Sequence, residues 1–352
     1  MKIFTAVAAF VLVFFALQQL LIPKYASEVF EGNLIREYYD SRREHDVIFI
    51  GDCEVYAGFS PVVLWEEQGI TSFIRGSAQQ LIWQSYYLLE ETLRHETPSM
   101  VVFNVLAMQY NEPQYEPYNR LTLDGMRWSV SKLRAVRASS FEDESLFSYV
   151  FPFFRFKDRW RELGTEDFRY FWSRPQVSIN GFMIRTDVQP AVWIPDPLPR
   201  ASWAFGDKAF EYLQKMVELT RAHGVEFVLV KAPTIFPVWM PQWNEQIVSF
   251  AEENGLVFIN FLEYTNDIGL DFEFDTFDGG GTLNLFGAEK LTRFFGEMLR
   301  ERDDLPTLPD RRGEPAVAAY WAELSALYHR NVARQQAESA EFGRILSFLI
   351  EY

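Results

Sequence analysis

Val47-Ile48-Phe49-Ile50-Gly51-Asp52-Cys53-Glu54-Val55-Tyr56-Ala57-Gly58-Phe59-Ser60-Pro61 runs from four apolar residues into a Gly-Asp-Cys turn. Such a run reads as a buried parallel strand that ends at a sharp corner. In open α/β sheets, ligands and chemistry gather at the carboxyl ends of the strands. Cys53, the only cysteine of the 352 residues, stands there. Ser60 as N-cap and Pro61 as first helical residue signal a helix. Ile70 to Ile74 then makes a second strand, and Ile82, Tyr86, Leu89 and Leu93 mark one face of a helix from Gln79 to His95. Beyond Pro98 lies a third strand, Val101-Val102-Phe103. Strand, helix, strand, helix, strand with short connections predicts a parallel α/β sheet.

The rhythm changes over residues 105–206. That stretch holds no clean buried strand but has helical segments, Gly125 to Ala138 and Phe147 to Leu163, and a Pro-rich run from Pro190 to Pro199. It reads as an insertion folded over the carboxyl edge of the sheet. Trp128, Trp160, Tyr170 and Trp172 are either a platform for sugar rings or acyl chains, or the insertion's own core. The alternation resumes with a helix Asp207 to His223, a strand Val225 to Val230, a helix Gln242 to Asn254 and a short strand Val257 to Ile259. Gly224 and Gly255 are the helix stops, and five strands are expected in all. The loop Pro233 to Pro241 carries Phe236, Trp239 and Met240 at a strand's carboxyl end, where they would line a pocket. A last helix of the domain spans Asn284 to Arg302.

The two ends of the chain differ from this body. Ile3 to Ile22 is almost unbroken apolar sequence, preceded by Lys2 and followed by Pro23-Lys24. About 20 helical residues at ~1.5 Å each span a ~30 Å hydrocarbon core. The segment is read as an uncleaved transmembrane anchor, with a cleaved signal peptide as the rival; Tyr25-Ala26-Ser27 makes a poor cleavage site. Lys2 favours a cytoplasmic amino terminus and an extracytoplasmic bulk. The expected organisation is an anchor over 1–24, an α/β domain over 25–304 containing the insertion, and a linker with a helical tail over 305–352. Pro315 to Tyr352 is expected to form one long helix that packs back on the domain or meets a partner.

Composition narrows the function. Lys and Arg number 33 against 49 Asp and Glu, for a net charge of −16, so the field repels phosphate backbones and a nucleic-acid partner is not expected. Hydrophobic residues make up 48%, enough for a sizeable core. No His/Cys cluster suggests a metal, and no cofactor motif is present; the acidic run Asp271, Glu273, Asp275, Asp278 reads as a solvated loop before it reads as a cation site.

Strand-Gly51-Asp52-Cys53 followed by Gly58-Phe59-Ser60-Pro61 resembles the first block of the SGNH/GDSL hydrolases, with cysteine where that family has its nucleophilic serine. The order of blocks is also similar: Gly76 in Arg75-Gly76-Ser77, Asn104 after the third strand, and Asp278-Gly279-Gly280-Gly281-Thr282-Leu283-Asn284-Leu285-Phe286-Gly287 near the end. The resemblance implies a flavodoxin-like three-layer α/β/α fold. It implies Cys53 as nucleophile, and an oxyanion hole from the backbone NH of Cys53, the backbone NH of Gly76 and the Asn104 side chain. The family's final His-Leu-Asn-x-x-Gly places its general base at position 282, occupied here by Thr282, and its Asp at 279, occupied by Gly279 with Asp278 one step back. Cys53, Asp278 and Thr282 are therefore the expected catalytic positions.

The proton acceptor is the open matter. Of four histidines, His45, His95 and His223 precede parallel strands and so belong at the amino edge, opposite Cys53, while His329 reaches the site only if the tail folds over it. Asp278, Asp275, Glu54 and Asp52 remain, and carboxylates near a thiol raise its pKa although they can still accept a proton. Two functions follow. One is a membrane-anchored enzyme similar to SGNH/GDSL esterases and acyltransferases, acting on acyl groups of an envelope glycan or polymer beside a membrane-bound O-acyltransferase. The other is a scaffold or binding protein of such a system that has lost turnover.

Overall fold

The computed structural model describes residues 2–22, 31–42, 44–141, 144–193, 196–197 and 202–352. In chain order its elements begin with α1 (Lys2–Gln18), α2 (Glu31–Glu37), β1 (Val47–Gly51), α3 (Cys53–Tyr56), α4 (Pro61–Gln68), β2 (Ser72–Gly76), α5 (Ile82–Thr92) and β3 (Met100–Asn104). The insertion supplies α6 (Glu116–Gly125), α7 (Val130–Ser139), α8 (Phe147–Val150), α9 (Phe153–Phe156) and α10 (Thr165–Trp172). There follow α11 (Asp207–His223), β4 (Glu226–Lys231), α12 (Pro241–Asn254), β5 (Val257–Asn260), α13 (Thr265–Ile268), α14 (Leu285–Glu301) and α15 (Pro315–Phe342).

All five strands are parallel, in the order β2-β1-β3-β4-β5, which is the flavodoxin-like order. Period-two alternation sends Val47 and Phe49 to one face, with Phe59, Leu291 and Phe295 of the α4 and α14 layer. Ile48 and Ile50 face the other way, into the α5, α11 and α12 layer with Leu89, Leu213 and Ile247. Burial on both faces explains why β1 reads as a continuous apolar run rather than an alternating one. Helix signals hold where they are local. The Ser60 side chain accepts from the Val63 NH, and Gly224 and Gly255 close their helices at φ 65° and 61°.

Several expectations need correction. The second strand is Ser72–Gly76 rather than Ile70 to Ile74, because pairing of Gly51 with Gly76 sets its register. The helix expected from Gln79 starts at Ile82, after a turn in which Gln80 donates to the Arg75 carbonyl. Gly125 to Ala138 is two helices, α6 and α7, separated at Met126–Ser129, where Ser129 caps α7 by accepting from the Lys132 NH. Phe147 to Leu163 is likewise broken into short turns. The helical part of the insertion touches the carboxyl end of β2, where Thr122 of α6 is hydrogen-bonded to Ser77 at 2.6 Å, but it has its own core. Leu123, Met126, Ala135 and Val136 pack with Ile35 of α2 and Leu88 of α5 in a separate cluster. The strap after it does pass the site, since Met183 NH donates to the Tyr56 carbonyl and Gln189 NH to that of Thr276.

The tail packs back on the domain: Trp321 stacks on Trp65 with ring centroids 5.3 Å apart, and Tyr328 is buried with its hydroxyl 2.9 Å from Glu289. Its helix stops at Phe342, not Tyr352, because Gly343 takes φ 68° and ends it. At the other end, Phe4–Leu21 is long and apolar enough to cross a membrane. The proposed cleavage residues Tyr25-Ala26-Ser27 lie outside the described residues.

Candidate active site

β1 ends at Gly51, where a Cβ would run into Val55 and lie 3.0 Å from the Asn104 Cβ, so the chain turns here only without a side chain. Asp52 then caps α3 by accepting from the Glu54 NH at 3.1 Å. Cys53 is the first helical residue and half-buried against the core. As a first-turn residue its NH is one that helix geometry leaves without an intrahelical partner. Gly76 pairs with Gly51 across the sheet, and a Cβ on it would sit 3.3 Å from the Asp52 carbonyl. This places the Gly76 backbone beside the Asp52–Cys53 peptide.

The Asp278–Thr282 loop is brought to the same corner from 225 residues away or more in sequence. An isolated bridge between Thr276 and Leu283 pinches it shut. Gly280, at φ 104°, packs its α-carbon so close to Ile235 that a Cβ would be 2.6 Å from Cγ1. Asn284 fixes the far end: its carbonyl oxygen caps α14 through the NH groups of Phe286 and Gly287, and its amide donates to the Phe274 carbonyl at 2.6 Å. Within the loop, Asp278 accepts from the Thr282 NH and from the Thr282 hydroxyl, both at 2.7 Å. The Thr282 side chain lies beside the Cys53 thiol and favours its ionised form. The three expected positions thus meet at one corner, where the Thr282 hydroxyl donates to Asp278 beside the Cys53 thiol.

Asn104 lies at the end of β3, with its side chain hydrogen-bonded to the same corner. Its amide donates to Asp52 at 3.2 Å and to Glu54 at 2.8 Å, and its carbonyl oxygen accepts from the Ala232 NH at 3.1 Å. Every hydrogen-bonding group of that side chain is engaged inside the fold, under the site rather than in its mouth. Glu54 in turn pairs with Lys231 at 2.7 Å, and Thr234 donates to the same carboxylate oxygen. Lys231 Nζ has three acceptors, Glu54, the Ala232 carbonyl at 2.6 Å and Thr234 at 3.0 Å, one for each of its protons. Lys231 and Thr234 were not anticipated. The available signal was a lone lysine closing the apolar strand Phe227-Val228-Leu229-Val230.

Burial, then the Glu54 charge, push the Asp52 carboxyl up to about 7. A neutral Asp52 leaves Glu54 and Lys231 as a balanced pair. Burial also raises the Cys53 thiol well above the usual range, helped by Asp52, Glu54 and Asp278 and opposed by the Thr282 side chain. The sign for stability follows. An Asp52 whose folded pKa lies above its unfolded one contributes stability that is complete below about pH 4 and lost as pH rises through about 7. Asp52→Asn is therefore expected to flatten the decline between those limits while keeping the cap. Denaturant midpoints of both proteins from pH 4 to 8 check this, and parallel profiles would show that Asp52 ionises freely.

The remaining candidates sit elsewhere. His329 is hydrogen-bonded to Glu66 at 2.8 Å, His45 to Glu96 at 3.0 Å, and His223 to the Leu219 carbonyl at 2.8 Å, so each of these three rings is engaged elsewhere. Asp275 is held by Lys290 at 2.6 Å, and Asp271 accepts from the Glu273 NH. Among the described residues no group of three or more His, Cys, Asp or Glu side chains is suited to a metal ion. Trp239 and Met240 pack into the α12-side core instead of lining a pocket, while Phe236 is exposed. Trp160 and Trp172 are 62% and 90% exposed, so they are not the insertion's core. The chain matches no family model, and no curated protein matches it in sequence.

Proposed function

We propose that this protein is an extracytoplasmic, membrane-anchored SGNH/GDSL-like acyltransferase or esterase, held by the Phe4–Leu21 helix and acting on ester-linked acyl groups of a cell-envelope glycan or polymer. The observation that carries the reading is the meeting of Cys53, Thr282 and Asp278 at the carboxyl edge of the sheet, with the Thr282 hydroxyl donating to Asp278. In the reaction, Sγ of Cys53 bonds to the ester carbonyl carbon while its proton moves to the Thr282 oxygen and the Thr282 proton moves to Asp278. The carbonyl oxygen becomes an oxyanion beside the NH groups of Cys53 and Gly76, each donor being worth ~3 kcal/mol in such sites. Collapse breaks the carbon–oxygen bond, and the alcohol leaves with the proton returned through Thr282. The thioester then passes its acyl group to water or to a polymer hydroxyl, beside a membrane-bound O-acyltransferase as partner.

A scaffold of the same acylation system is the second reading, favoured by the commitment of Asn104 to Asp52 and Glu54 and by the carboxylates that keep the thiol neutral. One experiment divides them. With p-nitrophenyl acetate, Cys53→Ala is expected to abolish turnover and Asp278→Asn to lower it by about 10²–10⁴. Turnover that is undetectable, or indifferent to Cys53, leaves the scaffold.

A further inference from the structure

The insertion carries a face that the α/β domain does not use. Phe147, Phe154, Trp160 and Trp172 are 60%, 62%, 62% and 90% exposed, and Phe153 and Phe168 are exposed as well. Single exposed apolar residues are ordinary, but a run of large aromatics on consecutive short helices marks a surface that meets something. What it meets is indicated by α1. The rings of Phe10 and Phe14 stack at 6.3 Å, Phe14 lies 5.7 Å from Phe153, and Phe153 lies 6.1 Å from Phe154. One aromatic column therefore continues from the apolar helix into the insertion. Arg159 fastens the junction by donating to the Leu20 carbonyl at 3.0 Å, and Gln18 is buried there.

Depth follows from helix geometry. Phe14 precedes Leu21, the end of the apolar span, by seven residues, or about 10 Å at ~1.5 Å per residue. Phe153 and Phe154 reach that level, matching the ~5–10 Å by which interfacial amphipathic helices sink their apolar faces. Between the aromatics stand five basic residues, Arg155, Lys157, Arg159, Arg161 and Arg169, and four acidic ones; Arg155, Arg159 and Arg169 pair with Glu116, Asp167 and Glu166, while the Arg161 guanidinium lies 5.2 Å from the Trp160 ring. Aromatic rings beside long basic side chains that reach back to the headgroups are the composition of a membrane interface.

We propose that residues 147–172 lie in the lipid interface beside α1 as a second, monotopic membrane contact that fixes the tilt of the α/β domain over the bilayer. The proposal rests on the anchor reading above. It is tested on the full chain in phosphatidylcholine/phosphatidylglycerol nanodiscs, in a Cys53→Ser background that leaves no other cysteine. Nitroxide labels are placed by Phe154→Cys or Trp160→Cys, by Leu12→Cys within α1, and by Glu252→Cys on α12 at the far edge of the sheet, and their collision with oxygen and with a polar nickel chelate is compared. Labels at 12, 154 and 160 are expected to favour oxygen as lipid-exposed sites do, and the label at 252 to favour the nickel chelate. Lipid exposure at 12 with aqueous exposure at 154 and 160 overturns this inference and leaves the anchor intact. Aqueous exposure at 12 overturns both.

Discussion

Lys231→Met is expected to destabilise the protein by about 3–5 kcal/mol, the cost of leaving a buried charge without its partner. Lys231 and Glu54 are both fully buried, and the three protons of the lysine are taken up by Glu54, Thr234 and the Ala232 carbonyl, so water does not replace it without the fold opening. Removing the cation strands Glu54 next to Asp52, two carboxyls that already share Asn104. The double variant Lys231→Met with Glu54→Gln is expected to recover much of the loss, because a neutral amide and an apolar chain have no charge to desolvate. Urea unfolding in detergent micelles, followed by tryptophan fluorescence, measures both. A single-variant loss within the ~0.5 kcal/mol of an ordinary surface change would show that the pair is hydrated and structurally idle. The consequence for function is positional: α3 begins one residue before Glu54, so slackening this pair moves the Cys53 backbone.

Thr282→His should have the largest effect on chemistry. The change puts an imidazole between a thiol and a carboxylate that already bracket this position, where the hydroxyl now donates to Asp278. An imidazolium beside the sulfur stabilises the thiolate, whereas Asp52, Glu54 and Asp278 now oppose it. Alkylation of Cys53 by iodoacetamide at pH 7 is expected to rise by at least ~10-fold, with the midpoint of its pH profile moving down. Ester turnover, if Cys53 performs it, gains within the ~10²–10⁴ range of a positioned general base. Thr282 is buried, so the larger ring must turn toward the half-exposed thiol, and Gly279, Gly280 and Gly281 leave the loop free of side chains that would obstruct it. An unchanged alkylation profile would mean that the imidazole does not reach Sγ.

Much of the sheet was legible because its signals are local. Val47 to Ile50 had to be a two-face-buried strand, Ser60-Pro61 had to open a helix, and Gly224 and Gly255 had to close theirs. Where the reading slipped, a distant contact had decided. Ile70 to Ile74 looks like a strand by composition, yet pairing with β1 moves the ordered ladder to Ser72–Gly76. The insertion's aromatics look like a core by composition, yet its buried cluster is built from Leu123, Met126, Ala135 and Val136 with Tyr149 as the insertion's aromatic member, and Trp128, Trp160 and Trp172 are left exposed.

The order of residues by itself determined a parallel α/β body with a cysteine at the carboxyl edge of its first strand, an apolar helix ahead of it, and a glycine-rich Asp278-to-Thr282 loop far behind it. These rest on period, punctuation and composition, which act within a few residues. Only the tertiary structure decided that Thr282 donates to Asp278 beside Cys53, that the Asn104 amide donates to Asp52 and Glu54, and that Lys231 balances the charge beside them. A buried polar group must find its partner wherever the fold brings one, and the partners here come from three strand ends and a loop that sequence separation keeps apart.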